Sequence, residues 1–559
     1  MTQPSPPDSR VPFLKDPVLW DLALTLLIFA PLRFALFPPK VFFKSPLILP
    51  EADYYGASIF LAALLHSPGL QLAVGMTTLV GVLHFVRHSR NPFAGRVKWS
   101  DDDPNGLRLM LMAMAFPLMW KLSTPDFSVW FGSSHLFDRA LLVAMWGAIA
   151  ATPLALPVFS AFAGVMAAQY FFPSCFEPTW ADKALLLYSV LLGWAVFLAS
   201  RIRKTHAFVY PLLLICMFGG FYFYPAVAKL RLGGDPTLWL RREHVHLLFI
   251  SAHLNGWLPN LVGDTFSQVV DFVRSSERFI VIYTITLEIA VIGIALARRG
   301  TIAMFLLVIA MHTGIFLSSG IFFWEWVVPE LALLGLLLTR WSTGPVAELY
   351  RWRNRWVSAL LVVFALPWTW PYLLGWMDTP YTVTYDIEAE NARGEHFQIR
   401  REYLDPYELA LTQNRLWFLD PAKEAPIATY SATANIELFE ALSAATSAAE
   451  VQAVRDRLGE VRYDAEEAEA FGEWLQRFFA YVNEHDGDKN VVPRWLEAPH
   501  HQMALAGTDL TPSDLPITRA RVFARSSWWN GERIEVIDER IILDVEIPST
   551  YSAVHTAAE

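Results

Sequence analysis

Apolar residues along this chain arrive in blocks rather than stripes. Runs close to the roughly 20 residues needed to cross a bilayer occupy 18–36, 69–85, 107–122, 184–200, 208–224, 279–297, 301–319, 321–339 and 357–376. A further stretch, 140–171, carries Pro153 and Pro157 where a turn between two short spans would fall. The pattern predicts a polytopic α-helical membrane bundle of about eleven transmembrane helices. After residue 376 it changes. Tyr381, Val383, Tyr385 and Ile387 alternate with polar residues, as in a half-buried strand. Asn435 is placed to cap a helix over 436–458, and Asp464 with Glu467 forms a capping box ahead of Phe471, Trp474, Leu475, Phe478 and Phe479 at helical spacing. Near the end, 519–525 and 533–546 alternate on either side of Asn530-Gly531, a strong hairpin signal. The chain therefore divides into a short N-terminal tail (1–17), a transmembrane body (18–376) and a soluble α+β domain (377–559), the last large enough for its own core.

Charge follows the same division. The 559 residues hold 44 Lys+Arg and 54 Asp+Glu, a net of −10, with 18% charged and 54% hydrophobic. Residues 377–559 contain 33 acidic and 16 basic residues, net −17, which leaves 21 acidic and 28 basic, net +7, in the front. This excludes a single soluble globule. It also argues against nucleic acid as a partner, because no domain-scale basic surface is available to displace counterions from phosphates.

The basic residues of the front orient it. Arg87, Arg90, Arg96 and Lys98 follow the second span; Arg201, Arg203 and Lys204 the sixth; Arg298 and Arg299 the eighth; Arg340, Arg351, Arg353 and Arg355 the tenth. Positive residues stay on the cytoplasmic side, so the N-terminus is expected inside and the acidic domain outside, together with the loop 230–278. Lys40 and Lys44 run against this map. Residues 1–16 are polar and Pro-rich, and the first apolar run lacks a following cleavage site, which predicts a retained anchor. Cys175 is expected in an outer loop and Cys216 within a span, so no disulfide is expected between them. None of the eleven Asn residues begins an Asn-x-Ser/Thr acceptor, in keeping with a bacterial inner membrane.

Ionisable groups in a bilayer cost at least ~2.5 kcal/mol on insertion scales, and those considered in the spans are Lys229, Glu288, His312, Glu325 and Glu330. Lys229 ends the aromatic run Phe221, Tyr222, Phe223, Tyr224 where the chain leaves the membrane. The simplest role for such a lysine is to reach the headgroups. For His312 it is an interhelical hydrogen bond. Glu288 and Glu330 read as packing or charge partners. Glu243, His244, His246 and His253 cluster in the outer loop, but their spacing fits no compact ligand pattern, so no metal is predicted.

The stretch Tyr222-Phe223-Tyr224-Pro225-Ala226-Val227-Ala228-Lys229-Leu230, then Trp239, His312 and Phe322-Phe323-Trp324-Glu325-Trp326, resembles the horizontally transferred transmembrane domain family, which includes the vitamin K-dependent gamma-carboxylases. The similarity is clearest over 201–338 and does not extend to the acidic domain. In the carboxylases the segment carries two lysines; the second, the family's proposed base, matches Lys229, and Ala228 replaces the first. The resemblance implies Lys229 as the base toward a reduced, vitamin K hydroquinone-like quinone and a supporting role for His312. It further implies a carboxylase of the carbon–carbon lyase class, in which quinone oxidation drives loss of a Glu γ-proton and uptake of carbon dioxide, the cofactor carrying the hard step. Such a base must be a neutral amine, whereas a free lysine, with pKa near ~10.4, is protonated; burial under aromatic rings favours the neutral form.

Two readings follow. One is a membrane enzyme of quinone-linked chemistry at the outer face, with the acidic domain presenting a polypeptide or small acidic substrate. The other is a non-enzymatic transporter or lipid-binding assembly protein, in which Lys229 and Glu288 hold a polar headgroup. A transporter of repeat architecture would show matched broken spans, and no internal repeat is evident.

Overall fold

The computed structural model describes residues 17–37, 58–87, 104–124, 135–169, 181–203, 205–206, 208–338, 349–371, 373–404, 411, 415–487 and 492–548. Lys40, Lys44, Arg90, Arg96, Lys98, Cys175, Lys204 and Arg340 lie outside them. The front is a helical bundle: α1 (Pro17–Leu36), α2 (Ile59–His66), α3 (Pro68–Arg87), α4 (Pro104–Ser123), α5 (His135–Ala151), α6 (Ala155–Gln169), α7 (Ala181–Ile202) and α8 (Val209–Arg231). Next come α9 (Leu238–Arg242), α10 (Val245–Leu254), α11 (Gly263–Ala290), α12 (Arg298–Ser319), α13 (Trp324–Leu338), α14 (Trp352–Val363) and α15 (Leu366–Thr369). Helices α7 and α8 form its centre and are buried along most of their length, whereas Leu27, Leu79, Phe279, Leu306 and Leu317 stand exposed on the outer helices. Apolar side chains left uncovered on this scale suit contact with lipid.

Among the described residues four helices are long and apolar enough to cross a membrane: Pro17–Leu36, Lys183–Ile202, Val209–Gly234 and Arg298–Ser319. The pair Ile59–His66 and Pro68–Leu83, bent by 91°, makes a fifth if counted as one span. The expected eleven are not found among the described residues, and part of the shortfall is local in origin. Helix α13 has 15 residues and contains Glu325, Pro329 and Glu330; α14 has 12 and stops before Pro367. Helix α11 begins in polar sequence well before the apolar run at 279 and gives way to a 3-10 turn at Val291–Gly293. The break at Pro153 falls where the sequence places it, between α5 and α6.

The end of the chain is α+β. Strand β1 (Met377–Asp378) pairs with β4 (Ala432–Thr433), while β2 (Tyr381–Asn391), β3 (His396–Gln398), β5 (Ile517–Trp529) and β6 (Ile534–Glu546) form an antiparallel sheet in the order β3-β2-β5-β6. The β5–β6 hairpin turns at Asn530-Gly531, where Gly531 has φ +100. Asn435 caps α16 (Ile436–Ala444) through Leu438 N, but the helix expected over 436–458 is two. Ser447 caps a second, α17 (Ala448–Leu458): its hydroxyl accepts from Glu450 N, and the Glu450 carboxylate in turn accepts from Thr446 N and Thr446 Oγ1. Asp464 accepts from Glu466 N and Glu467 N to open α18 (Ala465–Glu484), which lays Phe471, Trp474, Leu475, Phe478 and Phe479 against the sheet.

The α+β region sits on one end of the bundle through main-chain contacts. Tyr430 Oη donates to Ser319 O (2.7 Å), Trp324 Nε1 to Pro499 O (2.8 Å), Trp120 Nε1 to Leu496 O (2.7 Å), and Met503 N to Gly320 O (3.0 Å). Gly320 needs its left-handed φ of +73, and a Cβ there would meet Met503 O at 2.8 Å. Helices α8 and α12 run parallel, since Phe218 packs on Phe305 and Tyr222 on His312. Both therefore end beneath the α+β region, and Arg201, Arg203, Arg298 and Arg299 gather at the opposite end. There Arg203 and His206 hold the buried Asp21 of α1 at 3.3 and 2.7 Å.

Candidate functional site

Residues seven apart on a helix share a face two turns, about 10.5 Å, apart. On α8 this sets Lys229 above Tyr222, with Pro225 and the small Ala226 buried between them. Each begins a polar cluster. Lys229 Nζ donates to Glu288 Oε1 of α11 at 2.5 Å, with the two side chains 11% and 6% exposed. Its ammonium lies 5.0 Å from the centre of the Trp239 ring, a cation–π contact. Glu288 Oε2 is buried without a hydrogen-bond partner, an acceptor free to take an O–H from a bound acid.

Two turns below, the Tyr222 hydroxyl joins α12 and α13. It donates to Glu330 Oε1 and lies 2.7 Å from His312 Nε2. A phenol has one proton, so with Glu330 as its acceptor the His312 Nε2–H must be the donor to the Tyr222 oxygen. His312 Nδ1 has no partner, and its ring sits among Phe323 and Trp326. Lys229 and His312 are thus not in contact. They are related through Glu288, which acts electrostatically on the Tyr222 hydroxyl. Glu325 is buried with neither carboxylate oxygen hydrogen-bonded.

Ala228, next to Lys229 on α8, lies under the main chain leading to the α+β region. A Cβ on Gly375 would meet the Ala228 carbonyl oxygen at 2.9 Å. Trp239 Nε1 donates to Trp376 O at 3.1 Å, and Asp378 N to Glu243 Oε2 at 3.4 Å, so β1 forms a wall beside Lys229. Burial raises the Glu243 carboxyl well above its ordinary value, and Asp378 raises it further; burial also raises Asp378, which accepts the hydrogen bond from Glu243. Lys229 acts on Glu243 in the opposite sense.

The outer-loop histidines part company. His253 stacks near Phe266, with ring centres 4.5 Å apart, whereas His244 Nδ1 and His246 Nδ1 both meet Glu277, at 3.1 and 2.7 Å. Burial opposes ionisation of Glu277, but the hydrogen bonds and the electrostatic attraction of the two imidazoles together outweigh it and hold the carboxyl at about 2. Reasoning from the sequence missed Glu277, Asp378 and the role of Tyr222. Glu277 and Asp378 are remote in sequence from their partners, and Tyr222 reads as one ring in an aromatic run.

No protein-family profile, no curated protein and no solved structure matches the chain. What the fold defines is a helical protein with apolar helices able to cross a membrane and a sheet-containing C-terminal region.

Proposed function

We propose that the chain is a membrane enzyme of quinone-linked, carboxylase-like chemistry, with Lys229 removing a proton from a lipid-soluble acid and His312 assisting through Tyr222. The observation that carries this reading is the buried Lys229–Glu288 pair at the end of α8, beside a free carboxylate oxygen and above the His312–Tyr222–Glu330 chain. An ion pair withdrawn from water is costly, and its presence at this place is what motivates a functional reading. A hydroquinone fits this donor set: Lys229 and Glu288 would hold its hydroxyl, and Trp239 supplies an aromatic wall. When bound, a reduced quinone would supply the electrons whose transfer to oxygen drives the carboxylation. For Lys229 to act as a base, its ammonium proton passes along the 2.5 Å hydrogen bond to Glu288, leaving a neutral amine. Tyr222, fixed by His312 and Glu330, keeps a polar floor beneath the site.

The sidedness belongs to the same proposal. Arg201, Arg203, Arg298 and Arg299 lie at the end away from the α+β region, which supports, by the positive-inside rule, an orientation with that region and Lys229 outside a bacterial inner membrane. There the acidic domain would present a polypeptide or small acid.

The test is turnover by the purified full-length chain in detergent, given reduced quinones, oxygen, glutamate-containing peptides and labelled carbonate. Quinone oxidation coupled to label uptake is expected in the native chain and not in Lys229→Ala. Absence from the native chain, or equal rates in both, contradicts the proposal; equal rates favour a headgroup-binding role for the pair.

A further inference from the structure

We propose that His244, His246 and Glu277 form a binding site for a divalent transition-metal ion of the zinc class, with one coordination position open beside His244. The inference does not depend on the quinone-linked reading. Two imidazoles and a carboxylate are a donor set suited to zinc and its neighbours in the first transition row. One ligand atom from each of the three residues lies within 4.8 Å of the others, a spread that small adjustments close around an ion with bonds of about 2.0–2.2 Å.

The backbone explains how a His-x-His spacing serves here. Two residues apart within a helix point to different sides. His244, however, precedes the first helical residue of α10 with φ −127 and ψ 86, and His246 lies in the first turn, so the extended step turns both rings toward α11. Their centres are 5.6 Å apart. Glu277 comes from a long helix packed against α10, so the three donors rest on two fixed elements rather than on a loose loop.

Exposure assigns the open side. His246 and Glu277 are 8% and 9% exposed and anchor the site, whereas His244 is 36% exposed. Three protein ligands with one accessible position is the arrangement of a zinc site that also binds water or a substrate, not of a closed structural site. The surroundings favour a cation, since the Asp378 carboxyl acts electrostatically on both imidazoles. In the metal-free arrangement Glu277 bridges the two Nδ1–H groups; an ion would take the place of those two hydrogens, moving each ring proton to Nε2.

The test uses the full-length chain in detergent, stripped with a chelator and titrated with Zn²⁺ by calorimetry and with Co²⁺ by visible absorption. The expected result is saturable binding of one ion per chain and the intense visible bands of four-coordinate Co²⁺. His246→Ala and Glu277→Gln should each weaken binding by at least about tenfold, while His396→Ala, on β3, should leave it unchanged. A native chain that binds no ion or shows only weak six-coordinate Co²⁺ bands overturns the proposal, as does Glu277→Gln binding with native affinity. The native Co²⁺ spectrum decides the matter even if a variant fails to fold.

Discussion

Breaking the Lys229–Glu288 pair one partner at a time should cost far more than removing both. The two side chains are only 11% and 6% exposed, and the Nζ–Oε1 distance is 2.5 Å. Removing one partner of such a pair leaves a charge in apolar surroundings, a loss of about 3–5 kcal/mol, whereas replacing both with uncharged groups of similar size is close to neutral. Lys229→Met and Glu288→Gln are therefore each expected to destabilise the chain by about 3–5 kcal/mol, with Glu288 limiting the first loss by taking up a proton. The double variant should recover most of the loss, giving a coupling energy of at least about 3 kcal/mol. Reversible unfolding of the purified chain in mixed micelles of mild detergent and dodecyl sulfate, followed by circular dichroism, supplies the four free energies. Additivity to within about 0.5 kcal/mol would refute the reasoning, since it would mean that the two groups do not rely on each other.

Other consequences are more local. Trp474 is fully buried between Phe471 and Phe478, so Trp474→Ala should destabilise the α+β region by about 3–5 kcal/mol; a change below about 1 kcal/mol in denaturant titration would contradict the packing. Burial raises the phenols of Tyr381, Tyr385 and Tyr430 above the ordinary value. Unfolded tyrosines then ionise first, so their contribution is intact below about pH 10 and is lost as pH rises further. Circular dichroism should show alkaline loss of the sheet, and an unchanged spectrum to about pH 12 would speak against it. A reporter that works only outside the cytoplasm, fused after Trp376, should be active; activity of a cytoplasmic reporter at that point would reverse the sidedness.

Features that depend on neighbours in sequence were legible. The β2 strand, the caps at Asn435 and Asp464, the turn at Asn530-Gly531 and the break at Pro153 are set by residues a few positions apart, and each is where the sequence places it, although β2 is buried on both faces over Tyr381–Tyr385 rather than on one. Span number was not. Apolar composition does not say where a helix stops: α11 starts far back in polar sequence and α14 stops short of Pro367, while α13 carries Glu325, Pro329 and Glu330 that a hydropathy run absorbs. The site was legible in half. Glu288 and Glu330 are charge and hydrogen-bond partners, as their types suggested, but which group each would meet required the packing of four helices. Asp21 and Arg33, inside the first apolar run, escaped notice although both are buried; Arg33 lies over the Phe34 ring at 4.4 Å. The spacing of His244 and His246 with Glu243 and His253 fits no compact ligand pattern, and the residue that joins them, Glu277, arrives from another helix.

Lys229→Arg tests the central claim most directly. Arginine keeps a positive charge for Glu288 but cannot give up its proton to become a base. Measured by oxygen-dependent oxidation of a reduced quinone, with calorimetry confirming a folded chain, the account predicts that Lys229→Arg is stable and inactive while the native chain turns over. A folded Lys229→Arg chain oxidising the quinone at the native rate would contradict it.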